Sequence, residues 1–384
     1  MKRIKGFDLF RKLPQEVIID ILSRLSFVCI IRSKVASRAC RDAVESREFT
    51  EFCLSEYECD TFFVYTAGEK YIGSHSYKIL ELREDGINTT TMSPSHTLPE
   101  YKPLPHSSSV EGLILLWCPR SHGLFVSNPI TCECVRVTIP PAPEDSKNVL
   151  VFKVVIDPIA RKRARVPIPP VERADVNYGF GVSKASKQYK LVWIVRDHGC
   201  QVYTLGTGQW RVGPSPPKIR HRNACASLGG KLYWVQNWEN ICSFDLESEV
   251  FTTFPAPPCP EAEKRSCRRV CVLEECLCVC DYVYYDGIRT WIMRGEGDWI
   301  LQLVIPMAKV VRGMRMSLPI KVLGRHTILM DNGCGRLYWY NIRTTTLQIC
   351  NFGNFSQGTI ACFFKPDLVS LKTLFPQRET IHYF

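Results

Sequence analysis

Two periods divide the chain. From residue 13 to about residue 54 apolar side chains recur at helical spacing, and beyond about residue 56 they alternate with polar ones. Val17, Ile18, Ile21, Leu22 and Leu25 fall at i, i+1, i+4, i+5 and i+8, a wide apolar stripe on one helix. Pro14 suits the first helical turn, where its missing N–H costs nothing, and Glu16 complements the positive helix end. Ser26 is placed to cap a second helix carrying Ile30, Ile31, Lys34, Val35 and Arg38. Ala39, Ala43, Val44, Phe49 and Phe52 suggest one or two further helical turns. A unit of about 45 residues lies near the lower size limit for independent folding. Its helices carry more apolar residues than so small a bundle hides, so part of the stripe is expected to meet another protein.

The remainder reads as strands. Short runs at 62–65, 112–118, 124–127, 189–195, 202–205, 231–235, 270–273, 288–293, 327–330 and 337–340 are rich in Val, Ile, Tyr, Phe and Trp, with Gly, Pro, Asn and Asp between them. A weak repeat joins a strand, a Gly turn, a second strand, an Asx/Thr/Ser turn and a third strand ending near an aromatic. Its clearest copy is Gly229-Gly230-Lys231-Leu232-Tyr233-Trp234 followed by Ile241-Cys242-Ser243-Phe244-Asp245. Anchors at Leu205, Asp245, Trp291 and Asn341 are 40, 46 and 50 residues apart, and a period of short strands in that range predicts propeller blades, about six of them. The run 359–364 is expected to complete the first blade and close the ring, removing an exposed edge. Trp117, Trp193, Trp210, Trp234, Trp291, Trp299 and Trp339 recur at blade-like positions as inter-blade packing.

Length and composition fit this division. At about 150 residues per domain, 384 residues make two or three domains, and 45% apolar with 23% charged residues excludes wholesale disorder. No apolar run approaches the roughly 18 residues of a membrane span, and the first residues hold no secretory core. A cytoplasmic or nuclear chain is expected, its 19 cysteines reduced and mostly buried. Cys276, Cys278 and Cys280 sit two apart on one strand face, and no C-x-x-C pair marks a metal site. The net charge of +11 concentrates at 161–165 and 264–269, beside prolines, within two long segments at 144–173 and 255–269. These are read as solvated loops with a preference for an acidic partner. Nucleic acid is disfavoured, because no zinc finger, RNP-type strand or K-homology loop accompanies the charge. No nucleophile elbow, H-E-x-x-H, phosphate loop or dinucleotide fingerprint is present, so no catalytic residue, cofactor or metal is assigned. Gly179 and Gly181 lie in a strand-rich stretch without a third glycine and are not a phosphate site.

The segment Leu13-Pro14-Gln15-Glu16-Val17-Ile18-Ile19-Asp20-Ile21-Leu22-Ser23-Arg24-Leu25 resembles the F-box opening L-P-x-E-φ-φ-x-x-I-L-S-R-L, where φ is apolar. Residues 30–41 are similar to its continuation, with Ala36 and Cys40 where Val and Trp are usual. Downstream, Gly112-Leu113, Asn128-Pro129-Ile130-Thr131, Tyr178-Gly179-Phe180-Gly181, Tyr189-Lys190-Leu191-Val192, Gly229–Trp234, Ser243–Phe251 and Trp291-Ile292-Met293 resemble, in order, the plant F-box-associated, kelch-like β module. The resemblance implies an α+β multidomain chain: a small helical F-box at 8–54, then an all-β propeller-like domain at 55–384.

It further implies a non-catalytic substrate-recognition subunit of an SCF (Skp–cullin–F-box) ubiquitin ligase. The F-box would dock on a Skp-type adaptor, and through it on a cullin-RING ligase, by Leu13, Pro14, Val17, Ile18, Ile21, Leu22 and Ile31. The β module would hold a protein substrate. Two other readings stay open at the level of sequence: a protein-binding propeller without ligase coupling, and a carbohydrate-binding or enzymatic propeller.

Overall fold

The computed structural model describes residues 9–25, 29–30, 33–34, 37–46, 48–49, 61–68, 75–83, 86–90, 102–103, 109–118, 123–129, 131, 133–139, 152–156, 163–167, 176–219, 225–258, 265–295, 297–306, 317–323, 325–331, 337–350, 360–364, 367, 369–375 and 381–383. A 3₁₀ turn, Leu9–Lys12, leads into helix α1, Gln15–Ser23, and helix α2 spans Arg38–Val44. Pro14 stands at the cap of α1 rather than inside it, and its carbonyl accepts from the Val17 and Ile18 N–H groups at 3.2 Å. Ser37 caps α2 by accepting from the Ala39 and Cys40 N–H groups. The cap expected at Ser26 lies outside the described residues.

Every later element of length is a strand, antiparallel to its neighbours. Five four-stranded sheets form blades, against the about six expected. Blade A joins Ile360–Phe364 to Thr61–Gly68, His75–Arg83 and Gly86–Thr90. Blade B runs from Val176–Val182 through Tyr189–Val195 and Gly199–Thr204 to Trp210–Val212. Blades C, D and E repeat this meander from Ala226–Leu228, Arg265–Leu273 and Leu318–Leu323. A sixth sheet, of six strands around Leu113–Cys118, Gly123–Asn128 and Glu133–Val137, packs between A and B. The strand that opens each sheet lies against its counterpart in the next, from A through the six-stranded sheet to E.

The chain's last long strand returns to the first blade. Ile360–Phe364 pairs with Thr61–Gly68, Phe62 opposite Phe364, so the ends meet as the closing run predicted. The short strand Ile381–Tyr383 then adds to Glu133–Val137 at the outer edge of the six-stranded sheet. Between the two, helix α3, Leu371–Leu374, is pinned in place. Asn128 Nδ2 donates to the carbonyls of Asp367 (3.0 Å) and Val369 (2.7 Å). The Glu133 carboxylate accepts from Ser370 Oγ and from the Leu371 N–H at 2.6 Å.

Blades pack by the two-residue period. In Lys231–Val235, Leu232 and Trp234 point toward blade B, among Val192, Val202 and Phe244, while Tyr233 and Val235 point toward blade D, among Val270, Leu277 and Val279. With both faces covered the run needs no polar face, which is why it reads as continuously apolar. Close approach fixes two glycines: a Cβ on Gly179 would lie 2.7 Å from Leu232 and 2.8 Å from Trp234, and one on Gly181 2.5 Å from Leu246. Tryptophans add directional ties. Trp210 Nε1 donates to Thr138 O, Trp234 Nε1 to Tyr178 O and Trp299 Nε1 to Pro255 O, each reaching the preceding sheet.

Strand direction gives the ring two unlike faces. Crossovers between blades, and the turns joining second to third strands, open on one face. The tight turns at 111–112, 183–188, 229–230 and 274–275 open on the other. The chain enters blade A at Thr61 on the tight-turn face, where Ile360–Phe364 also ends.

The basic segments are corrected in part. Arg163–Pro167 is a strand paired with Phe152–Ile156 rather than a loop. Arg268 lies inside the strand Arg265–Leu273, buried opposite Asp281, with Nε and Nη2 each 2.6 Å from a carboxylate oxygen. Its remaining donors reach the carbonyls of Pro257 and Trp238 in blade C. Removing Arg268 alone leaves Asp281 charged and dry. Arg268→Ala should lower unfolding free energy by about 3–5 kcal/mol in urea titration, whereas Arg268→Met with Asp281→Leu should recover most of that loss.

Candidate functional site

The helical unit separates the sequence-predicted stripe into two sides. Ile18 and Leu22, at 3% and 1% exposure, join Ile30, Cys40, Ala43, Val44 and Phe49 in a closed core, with Phe10, Ile19 and Ala39 packed against it. Leu13, Val17, Ile21 and Leu25 are between 36% and 41% exposed, and Pro14 is exposed with them. A step of four residues advances 400° on a helix, so Val17 and Ile21 lie about 40° apart on one face of α1, with Leu13 and Pro14 leading into that ridge and Leu25 just past its end.

Of the seven residues assigned to adaptor contact, Leu13, Pro14, Val17 and Ile21 lie on this ridge. Ile18 and Leu22 are corrected to core positions: they sit about 100° from Val17 and Ile21 and face α2. Ile31 lies outside the described residues. Leu25 was visible in the periodic pattern, and only its exposure distinguishes it from Leu22.

Two ion pairs lie on the surface of the unit. Arg24 Nη2 bridges both carboxylate oxygens of Asp20 at 3.0 Å on the polar side of α1, and Lys34 Nζ meets Glu45 at 2.9 Å. The unusual Cys40 is a core residue at 1% exposure, so its exchange for the larger Trp of the resemblance alters the filling of the bundle and not its outer ridge. Replacing Leu22 by Ala should therefore cost about 2–5 kcal/mol of folding, while Val17→Ala should stay within about 0.5 kcal/mol. Denaturation followed by the helical circular dichroism of the full chain separates the two.

Several thiols of the β region are held protonated. Twelve cysteines among the described residues carry free thiols, and burial pushes Cys200, Cys242 and Cys350 up to about 12. Cys271 Sγ lies 3.8 Å from Cys280 Sγ, and hydrogen bonding with Cys278 and Cys280 holds its thiol well above the ordinary range. Thiols held protonated are poor nucleophiles and poor metal ligands. Unfolding returns them to an ordinary value near 9. The stability they lend is complete below pH 9 and declines as pH rises from 9 toward 12. Urea midpoints measured under reducing conditions at pH 8 and pH 10.5 should show the fall.

Charged groups of blades B and C form a fixed network. Lys190 Nζ donates to Leu246 O (2.6 Å) and to Glu249 (2.8 Å), Arg211 also meets Glu249, and Glu247 accepts from the Ser186 N–H at 2.9 Å. Hydrogen bonds from Ser186 hold the Glu247 carboxyl below the usual range; at Glu249 burial opposes the shift, but Arg211 and Lys190 hold the carboxyl low. The groups satisfy one another across the interface, which is a structural arrangement and not a catalytic one.

Comparison with known proteins agrees with this layout. An F-box domain profile matches residues 10–52, and the profile of the F-box associated beta propeller domain matches 95–299, more than half the chain. An F-box/kelch-repeat protein of Arabidopsis thaliana is 24% identical over 284 residues, covering 70% of this chain and 64% of the relative. A second Arabidopsis F-box protein is 24% identical over 322 residues, covering 74% and 70%, and a third is 26% identical over 284, covering 70% and 82%. The chain thus matches a little under two thirds of the first relative's length.

Proposed function

The chain belongs to the F-box proteins that carry an F-box associated β-propeller domain, and from that premise we propose that it is the substrate-recognition subunit of an SCF ubiquitin ligase. The helical unit, over 8–54, docks on a Skp-type adaptor, and the propeller, over 55–384, holds the protein to be ubiquitinated. The chain itself is a non-catalytic receptor working in the cytoplasm or nucleus.

The exposed ridge Leu13, Pro14, Val17, Ile21 and Leu25 carries this reading. An amphipathic helix whose core side is already filled by Ile18 and Leu22 has no internal use for a second apolar row, and such a row suits a helical partner groove. The buried place of Cys40 favours retained coupling over a propeller that has lost its adaptor. Chain direction supports the division of labour: the F-box joins the propeller on the tight-turn face, leaving the crossover face and its long segments for the target. Loops on a rigid scaffold are where specificity resides.

A preference for an acidic target rests on crossovers such as 213–225 and 307–317, each with three Lys or Arg and no acid, and not on Arg268. No helix among the described residues is long and apolar enough to cross a membrane.

Leu13→Ala combined with Val17→Ala and Ile21→Ala should weaken adaptor binding by about 2 kcal/mol or more, some 30-fold, in calorimetric titration with a purified Skp-type adaptor. Equal affinity for the triple variant and the native chain would falsify the docking role. For the target, once one is captured, affinity should drop as salt rises from 50 to 300 mM.

A further inference from the structure

The outer edge of blade D is unlike those of its neighbours. Blades B, C and E end in short strands, Trp210–Val212, Phe251–Pro255 and Thr346–Ile349. Blade D ends in Asp298–Pro306, nine residues long and uncharged from Trp299 onward. Ile300, Leu301 and Val304 are 46%, 41% and 40% exposed. Among the described residues no strand pairs with the outer side of this edge, whereas natural edges of such length are usually charged, shortened or covered.

Beside the end of this strand, where Gly287 pairs with Pro306, stands the turn Tyr284-Tyr285-Asp286. It is closed by the Asp286 N–H on Val283 O at 3.2 Å. Tyr285 is 87% exposed and sits at φ 67°, left-handed backbone that a bulky aromatic seldom adopts. Its ring lies 6.4 Å from that of Tyr284. The turn belongs to the crossover face, the one left free for the target.

Geometry selects the occupant. A nine-residue edge is about 30 Å long and offers well under the roughly 800 Å² per partner of a stable protein interface. A second copy paired symmetrically about Gln302 would set bulge against bulge, since Gln302 is the extra residue opposite the Thr290–Trp291 step. A single incoming strand needs less area, because main-chain hydrogen bonds carry its affinity, and it can pair on either side of the Gln302 bulge. We propose, resting on the receptor reading above, that blade D docks an extended, uncharged segment of the target by strand addition along Asp298–Pro306. Tyr284 and Tyr285 anchor the end of that segment.

The probe is a fluorescein-labelled decapeptide of alternating valine and threonine with one lysine at each end. It is titrated by anisotropy against the full chain bound to its adaptor. Saturable binding is expected, weakened at least tenfold by Leu301→Lys, by Val304→Lys and by Tyr285→Gly, and unchanged by Val212→Lys on the exposed outer edge of blade B. No saturable binding, or equal affinity in the blade D variants, overturns strand addition. Tyr285→Gly relieves the strained φ and should fold even where a lysine at the edge does not, so it decides the matter alone if needed. Adaptor capture is read on the same samples. Its failure with peptide binding intact would sink the ligase reading and leave the edge site standing, and the converse result would do the reverse.

Discussion

The structure depends on the two ends of a long sheet-forming chain being tied to each other. The sheets pack in succession from blade A through the six-stranded sheet to blade E, and a chain that simply stopped after blade E would leave blade A without its opening strand and the six-stranded sheet without its edge. Ile360–Phe364 supplies the first and Ile381–Tyr383 the second. Asn128 and Glu133 hold the intervening turn by hydrogen bonds to Asp367, Val369, Ser370 and Leu371. A Cβ on Gly112 would lie 2.2 Å from the Asp367 side chain, so the strap is seated closely on the tight turn beneath it. Such a closure links residues more than 200 positions apart, the kind of contact that forms late and slowly.

Once the ring is closed, two different chemistries hold neighbouring blades together. Apolar side chains alternate between adjoining interfaces, and sparse polar ties fix the register: indole N–H groups on backbone carbonyls, Lys190 with Glu249, and Arg268 with the carbonyls of Pro257 and Trp238. The polar ties are directional, so they resist sliding where the apolar contacts would tolerate it. This rigidity holds the loops and edges of the propeller in fixed relation to one another.

The helical unit works on the opposite plan. It is small, its core of seven buried residues is modest, and it keeps an apolar ridge in water. A bundle of that size gains little from further burial inside itself and much from burial in a partner. The two halves thus assign the same class of side chain to different ends: inward closure in the propeller, outward exposure in the F-box.

What the sequence determined was the period of each region. Helical spacing over 13–25, alternation beyond residue 56, blade-length repeats and the closing strand were all legible, because a buried face imposes its periodicity on the residues that line it. The pieces around Asn128, Gly179 and Gly181 were visible as motifs, but their reasons were not: a strap from residue 367 onward and the approach of Leu232 and Trp234 are contacts between distant segments. Tertiary structure alone decided which members of one apolar stripe were core and which were surface. Ile18 and Val17 are adjacent and equally apolar, and only the position of α2 tells them apart. It likewise decided that Arg268, read from composition as a solvated cation, is buried on Asp281, because charge along a chain says nothing about which carboxylate the opposite strand will bring.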